Sequence, residues 1–277
     1  MNDSAAEIRR HYESEVGNPD LVAKVIQILN GFGDGPLTST QLAAFDQFHI
    51  LGLAATKELA EVAGIQKTTK VLDAGSGLGG PSRYLAETYG CAVNGVDLIP
   101  SFVEIAKLAT ARMNLAPLVN YQVGDLTALP FGDGEFDLVW TQHVVMNIRD
   151  RARVYSEFRR VLKPCGTLAF FDLVAGDERQ PLIFPVPWAE TPAASFLLNR
   201  AETIQALEQA GFGPGQWNDV TERTATAFAS GQVPTPKPGE PSLAMVMGPR
   251  FREMFGNLLE NLKQGRVRLA MGCYGVR

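Results

Sequence analysis

The chain has 277 residues, with 25 Lys and Arg against 30 Asp and Glu for a net charge of -5, and 45% of its residues are hydrophobic. This length suits one large α/β domain with added cap elements, and the apolar share is enough for a substantial core. Neither charge sign dominates, so a broad phosphate-binding face is disfavoured. No apolar run reaches the roughly 18 residues of a membrane span, and the polar N-terminus lacks a secretory pattern.

The three cysteines, Cys91, Cys165 and Cys273, are too far apart for a disulfide framework or paired metal ligands. The three histidines, His11, His49 and His143, are equally scattered. The expectation is a cytoplasmic protein without a metal or a nucleic-acid partner.

Taken along the chain, helical spacing predicts helices over Ser4–Glu15 and Asp20–Leu29, separated by Gly17-Asn-Pro19. After Gly31–Pro36 breaks the pattern, a helical stretch runs over Thr40–Ala63. Residues 1–66 are therefore expected to form a helical cap that is part of the same domain as residues 67–277. From Lys70 onward, apolar strands alternate with helices: Val71–Ala74, a helix near Pro81–Tyr89, Ala92–Asp97, a helix near Ile99–Met113, then Val119–Val123, Phe136–Thr141 and Leu168–Val174. Parallel strands need such crossovers, so the fold class is α/β, a doubly wound Rossmann-like sheet. A helix over Arg200–Ala210, a turn at Gly211–Gly215, a strand over Trp217–Arg223, a proline-rich loop at 233–241 and a helix near Pro249–Gln264 follow. Insertions that could shape a substrate chamber fall near 175–200 and 225–250.

The most informative run is Val71-Leu-Asp-Ala-Gly-Ser-Gly-Leu-Gly-Gly80, a buried strand entering a glycine cluster. Gly75 and Gly77 lack a Cβ, so the backbone can turn sharply and approach a nucleotide-like ligand closely. The second strand ends in Asp97, a carboxylate suited to a ribose diol, and the third is followed by Asp125. A lone aspartate at a strand end is commonly a turn residue. Three acidic positions after successive parallel strands, however, gather at the carboxyl edge where ligands bind in open α/β sheets. A nicotinamide-dinucleotide fold would supply the first two signals too, so Asp125 decides between them.

At this point the chain resembles class I S-adenosylmethionine-dependent methyltransferases, through Leu72–Gly77, Val96-Asp97, Gly124-Asp125-Leu126, Phe136–Trp140 and Arg160–Leu168 in that order. Asp46-Gln-Phe-His49, Gly79–Arg83 and the closing region are similar to the small-molecule sarcosine/dimethylglycine and tocopherol methyltransferase group. The resemblance implies a seven-stranded sheet whose last strand lies near Arg268–Val276. It also implies S-adenosylmethionine as cofactor, S-adenosylhomocysteine as product, and methyl transfer to N or O of a small molecule.

Carried over to this sequence, Asp73, Gly75, Ser76 and Gly77 border the cofactor, Asp97 takes its ribose, Leu98 its adenine face, and Asp125 with Leu126 the adenine amino group. Gln142 and His143 follow the fourth strand and face cofactor and acceptor. Tyr12, Gln47, Phe48 and His49 resemble positions that close over the cofactor. His143 and His49 are the candidate bases, each with a structural hydrogen-bonding role as the alternative. Phe48 and Trp188 are the candidate acceptor contacts; Trp188 ends the proline-stiffened Phe184-Pro-Val-Pro-Trp188. A homodimer is a further expectation. A noncatalytic S-adenosylmethionine-binding protein is the reading outside enzymes.

Overall fold

A computed structural model describes residues 3–15, 20–230 and 241–277. Gly17–Pro19 and residues 233–240 of the expected proline-rich loop lie outside them. Among the described residues, four helices precede the sheet: α1 (Asp3–Arg10), continued by one π-helical turn over His11–Glu15, α2 (Leu21–Gly31), α3 (Ser39–Asp46) and α4 (Gly52–Ala63). Strands and helices then alternate as β1 (Lys70–Ala74), α5 (Gly80–Tyr89), β2 (Ala92–Asp97), α6 (Pro100–Arg112), β3 (Val119–Val123), β4 (Phe136–Gln142), α7 (Arg151–Val161) and β5 (Leu162–Ala175). The remainder comprises α8 (Arg200–Gln209), β6 (Phe212–Asp219), α9 (Thr221–Ala229), α10 (Leu243–Met247), α11 (Phe251–Lys263) and β7 (Val267–Val276).

The sheet has seven strands in the order β3-β2-β1-β4-β5-β7-β6. β3, β2, β1, β4 and β5 pair in parallel, and β7 runs antiparallel between β5 and β6. The seven-stranded doubly wound sheet expected from the sequence is the one observed. Its strands are near-continuous apolar runs because both faces are covered. Successive residues serve opposite cores: Val71 and Leu138 join α4, α5 and α11 on one side, while Leu72 and Val139 join α7 and α8 on the other. A third core ties α2 and α3 to α6 through Leu21, Val25, Leu42, Phe45, Phe102 and Ile105, seating the N-terminal helices beside the cofactor-type loop.

Local chemistry explains the element ends. Thr38 and Gln41 form a reciprocal capping box at α3, and Asn199 with Glu202 forms another at α8, each satisfying otherwise orphaned N–H groups. Pro100 opens α6, where a missing N–H costs nothing.

Three expectations need correction. The stretch Thr40–Ala63 is two helices, broken over Gln47–Leu51, with Leu51 left-handed at φ 64°. The break lets Phe48 and His49 leave helical register and enter the site. The strand expected over Trp217–Arg223 spans Phe212–Asp219, and Arg223 is helical. Gly213-Pro-Gly215 is absorbed by an edge strand with a register shift between Phe212 and Gly215, the sheet position where proline is tolerated. The fifth strand is longer than Leu168–Val174, because the Pro164–Gly166 turn is taken up as an irregularity opposite Phe136–Leu138.

Candidate active site

At the carboxyl ends of β1, β2 and β4, the glycine loop, α3 and the N-terminal π-helical turn enclose a cavity of about 110 Å³. Gly75, Gly77 and Gly79 all adopt positive φ (81°, 51° and 79°). At Gly75 the need is steric as well, since a Cβ would fall 2.4 Å from Val144 Cγ2. Gly75 and Ser76 N–H groups both donate to the Val96 carbonyl (2.8 and 3.0 Å), which fixes the loop against β2.

Asp97 is held by two backbone donors, Gly77 N–H at 2.8 Å and Ile99 N–H at 2.9 Å, one to each carboxylate oxygen. Each oxygen keeps a lone pair for a ligand. Burial raises its pKa, opposed by these hydrogen bonds. Asp73 accepts from the Ser82 hydroxyl, and burial, helped by the charge of Asp97, pushes it up to about 7. Asp125 Oδ1 accepts from the Thr127 N–H and hydroxyl (2.8 and 2.7 Å), so the turn role anticipated for a lone aspartate is real and coexists with a place on the cavity wall. Asp46, Asp73, Asp97 and Asp125 all line this cavity, and among the described residues no Lys or Arg does. Arg83 offsets the charge of Asp46, and burial leaves Asp73 only partly ionised near neutral pH, so the cavity is less negative than four free carboxylates would make it.

Asp46 anchors the cap. Its Oδ2 accepts from Arg83 Nη2 at 2.7 Å in a fully buried pair, and Arg83 Nη1 donates to the Ala106 carbonyl at 3.2 Å. The two sequence blocks around Asp46 and Arg83 thus meet across the loop. Gly80 has no room for a Cβ, which would fall 2.4 Å from the Asp46 carbonyl oxygen.

Of the residues singled out in the sequence, Tyr12, Phe48, His49, Asp73, Gly75, Ser76, Gly77, Asp97, Leu98, Asp125, Leu126, Gln142 and His143 line this one cavity. Gln47 does not. It is buried behind His49, where its amide lies 3.2 Å from His49 Nε2 and 2.7 Å from the Thr56 hydroxyl. Trp188 is elsewhere too, on the wall of a second cavity of about 60 Å³, with its indole N–H donating to Ser195 Oγ at 3.0 Å. Tyr12, Phe48, His49 and His143 line both cavities and form the partition between them.

The two histidines differ. His49 Nδ1 donates to the Ile50 carbonyl (3.1 Å), which leaves Nε2 of the neutral ring as an acceptor, 3.1 Å from the Thr56 hydroxyl and 3.2 Å from the Gln47 amide oxygen. Burial lowers its pKa to about 4, against the opposing Ile50 hydrogen bond. His143 is left-handed at φ 53°, held by its N–H to the Phe171 carbonyl (2.8 Å), with its ring 4.8 Å from that of Phe171. Such a conformation in a residue with a side chain costs about 1–2 kcal/mol. His143 Nε2 is buried without a partner, and burial, then the neighbouring His49, lowers its pKa well below 6.5. Ser76 Oγ and Gln142 Nε2 are also buried without a partner. Unmet polar groups of this kind are costly unless a ligand or water satisfies them.

Sequence reasoning missed Asn147, which lines the first cavity and donates to the Trp188 and Ala194 carbonyls (2.6 and 2.9 Å). It also missed α10 as a wall of the second cavity. Met247 faces that cavity from Leu243–Met247, a segment too short to carry a periodic signal.

Residues 72–170 match a model described as "Methyltransferase domain". The chain is 37% identical over 130 residues to the glycine/sarcosine/dimethylglycine N-methyltransferase of Actinopolyspora halophila, covering 46% of this chain and 23% of that one. It is 32% identical over 207 residues to the 2-methyl-6-phytyl-1,4-hydroquinone methyltransferase of Synechocystis sp., covering 75% of this chain and 60% of that one. The chain thus spans less than two thirds of either relative's length. In fold it is similar to geranyl diphosphate C-methyltransferase from Streptomyces coelicolor A3(2), with a TM-score of 0.71 at 17% identity, covering 100% of this chain and 99% of that one. In strand order, glycine loop and strand-end aspartates, the chain is thus similar to the class I S-adenosylmethionine-dependent methyltransferases.

Proposed function

We propose that the chain transfers a methyl group from S-adenosylmethionine to a nitrogen or oxygen atom of a small organic molecule, releasing S-adenosylhomocysteine. The observation that carries this reading is the pairing of an acidic cavity lined by four aspartates with an apolar one across a shared partition. The donor supplies a methyl on a positively charged sulfur: the acceptor lone pair bonds that carbon, the sulfur–carbon pair returns to sulfur, and a proton leaves an acceptor hydroxyl or ammonium.

Asp97 would hold the ribose hydroxyls, Leu98 and Leu126 the adenine faces, and Asp125 the adenine amino group. Gly75, Ser76 and Asp73 would stand near the cationic amino-acid end, with Gln142 beside them. Tyr12 and Phe48 would close over the donor. Gln47 and Thr56 keep His49 oriented, so His49 is a positioning residue in this proposal. His143, whose Nε2 has no protein partner, is the group placed to receive a proton. The protein's main contribution is then orientation of two bound molecules across the partition.

The named activities of the relatives support methyl transfer to small molecules and include both a nitrogen acceptor and a hydroquinone. A nicotinamide dinucleotide fits less well, because its diphosphate would face aspartate side chains with no Lys or Arg on the cavity wall among the described residues.

Calorimetric titration with S-adenosylmethionine, S-adenosylhomocysteine and NADH, followed by transfer of labelled methyl to a metabolite panel, tests the reading. Binding of the first two but not NADH, with label transferred, is the expected result. NADH binding with no S-adenosylmethionine binding would overturn it.

A further inference from the structure

The second cavity is built from the segment after β5, from α10 and from α11. Trp188, Leu243, Met247, Phe251, Phe255 and Leu258 form most of its wall, and no Asp, Glu, Lys or Arg among the described residues lines it. Phe251 and Phe255 stack at 5.6 Å, and Phe255 in turn packs against Phe228 at 5.2 Å, so these rings are held from behind. Among the described residues, the polar side chains on its wall are Tyr12, His49 and His143 on the partition and the Trp188 indole, whose N–H is taken by Ser195 Oγ. Tyr12 is engaged by Asn147 (3.4 Å) and His49 by Ile50, Gln47 and Thr56, which leaves the unpartnered His143 as the free polar contact.

Moving a carboxylate, phosphate or ammonium from water into such surroundings without a counter-charge costs several kcal/mol. A hydroxyl loses far less and can recover it with one hydrogen bond to a neutral imidazole. Aromatic faces could soften the cost for a cation by about 2 kcal/mol, which does not match a full desolvation penalty.

Resting on the methyltransferase reading above, we propose that the second cavity takes an uncharged, predominantly apolar acceptor, an aromatic or isoprenoid body presenting a hydroxyl to His143, and rejects amino acids and phosphate esters. The acceptor class is thereby set by the C-terminal helices and the Pro187-Trp188 segment, apart from the donor cavity.

The test loads the full chain with S-adenosylhomocysteine and titrates it calorimetrically with 1-naphthol, geraniol, sarcosine and phosphoethanolamine. Phe255→Glu and Leu243→Glu place a charge in the second cavity at two partly buried positions that do not line the first. The expected result is saturable binding of 1-naphthol or geraniol and none of the charged compounds. In a variant that still melts cooperatively, apolar binding should weaken by about 30-fold, equivalent to ~2 kcal/mol, with S-adenosylhomocysteine affinity unchanged. Binding of sarcosine or phosphoethanolamine in preference to both alcohols would overturn the inference, as would wild-type binding of 1-naphthol and geraniol by both variants. Failure of S-adenosylhomocysteine to bind the wild type would instead remove the methyltransferase reading, and this inference with it.

Discussion

Replacing Arg83 with Met should unseat the cap from the ligand loop. The Arg83 and Asp46 side chains are 0% and 1% exposed, their contact is 2.7 Å, and Asp46 Oδ1 has no other partner. Arg83→Met keeps the stem volume but strands a buried carboxylate, a change that typically costs about 3–5 kcal/mol. For a chain of this size that corresponds to roughly 6–20 °C in melting temperature. The sign of the pH dependence follows from the Asp46 carboxyl, whose pKa burial raises and Arg83 lowers. Without Arg83 the folded pKa climbs further above its unfolded value of about 4. The folded variant then binds a proton that is released as pH rises through that higher pKa, and the associated stability goes with it. The gap between wild type and variant should therefore widen from acid toward neutral and alkaline pH. Urea unfolding across that range measures it, with Asp46→Leu and the double variant completing a cycle. The double variant should be more stable than Arg83→Met alone, because no carboxylate is left unpaired. A loss below about 1 kcal/mol for Arg83→Met, or a double variant that loses the sum of the two singles, would refute the reasoning.

Asp97→Ala removes a carboxylate positioned by Gly77 and Ile99; S-adenosylhomocysteine affinity should fall by about 10- to 150-fold, the worth of a charged hydrogen bond, and calorimetry showing unchanged affinity would contradict the ribose role. Gly75→Ala meets both a φ of 81° and Val144 at 2.4 Å; a stability loss of about 2–4 kcal/mol is expected, of which Gly75→Ala/Val144→Ala should recover the packing part but not the backbone part. His49 has a folded pKa of about 4 against an ordinary 6.5, so the unfolded chain is protonated first as pH falls, and stability contributed by the neutral ring is lost between those values. That amounts to as much as about 3 kcal/mol. Asp73 and Asp172, both pushed up to about 7 chiefly by burial, act in the opposite sense over the same range. The comparison to make is thermal melting of wild type against His49→Phe from pH 7 to 4.5. The difference in slope isolates the imidazole, and parallel curves would contradict its burial as a neutral group.

Much of the donor cavity was legible before any coordinates. Gly75 and Gly77 announce a backbone conformation that residues with a Cβ rarely adopt, and Asp97 and Asp125 follow strands recognisable by short apolar runs. Parallel topology then forces strand ends to one edge, so residues 20 to 50 positions apart converge without any long-range guess. Gln47 shows where this stops. Its neighbour Phe48 faces the ligand cavity while Gln47 turns into the protein, and no local pattern distinguishes the two once the helix breaks at Asp46.

The sequence by itself determined the succession of strands β1 to β5, the glycine turn, and the aspartates at the sheet edge, because these depend on local backbone preference and on crossover rules. Tertiary structure alone decided that Asp46 pairs with Arg83, that His49 is fully engaged while His143 is not, and that Met247, Phe251, Phe255 and Trp188 share one chamber. Those outcomes depend on which side chains from distant segments compete for the same buried volume and the same few hydrogen-bond partners. That competition is settled only when all of the segments have packed.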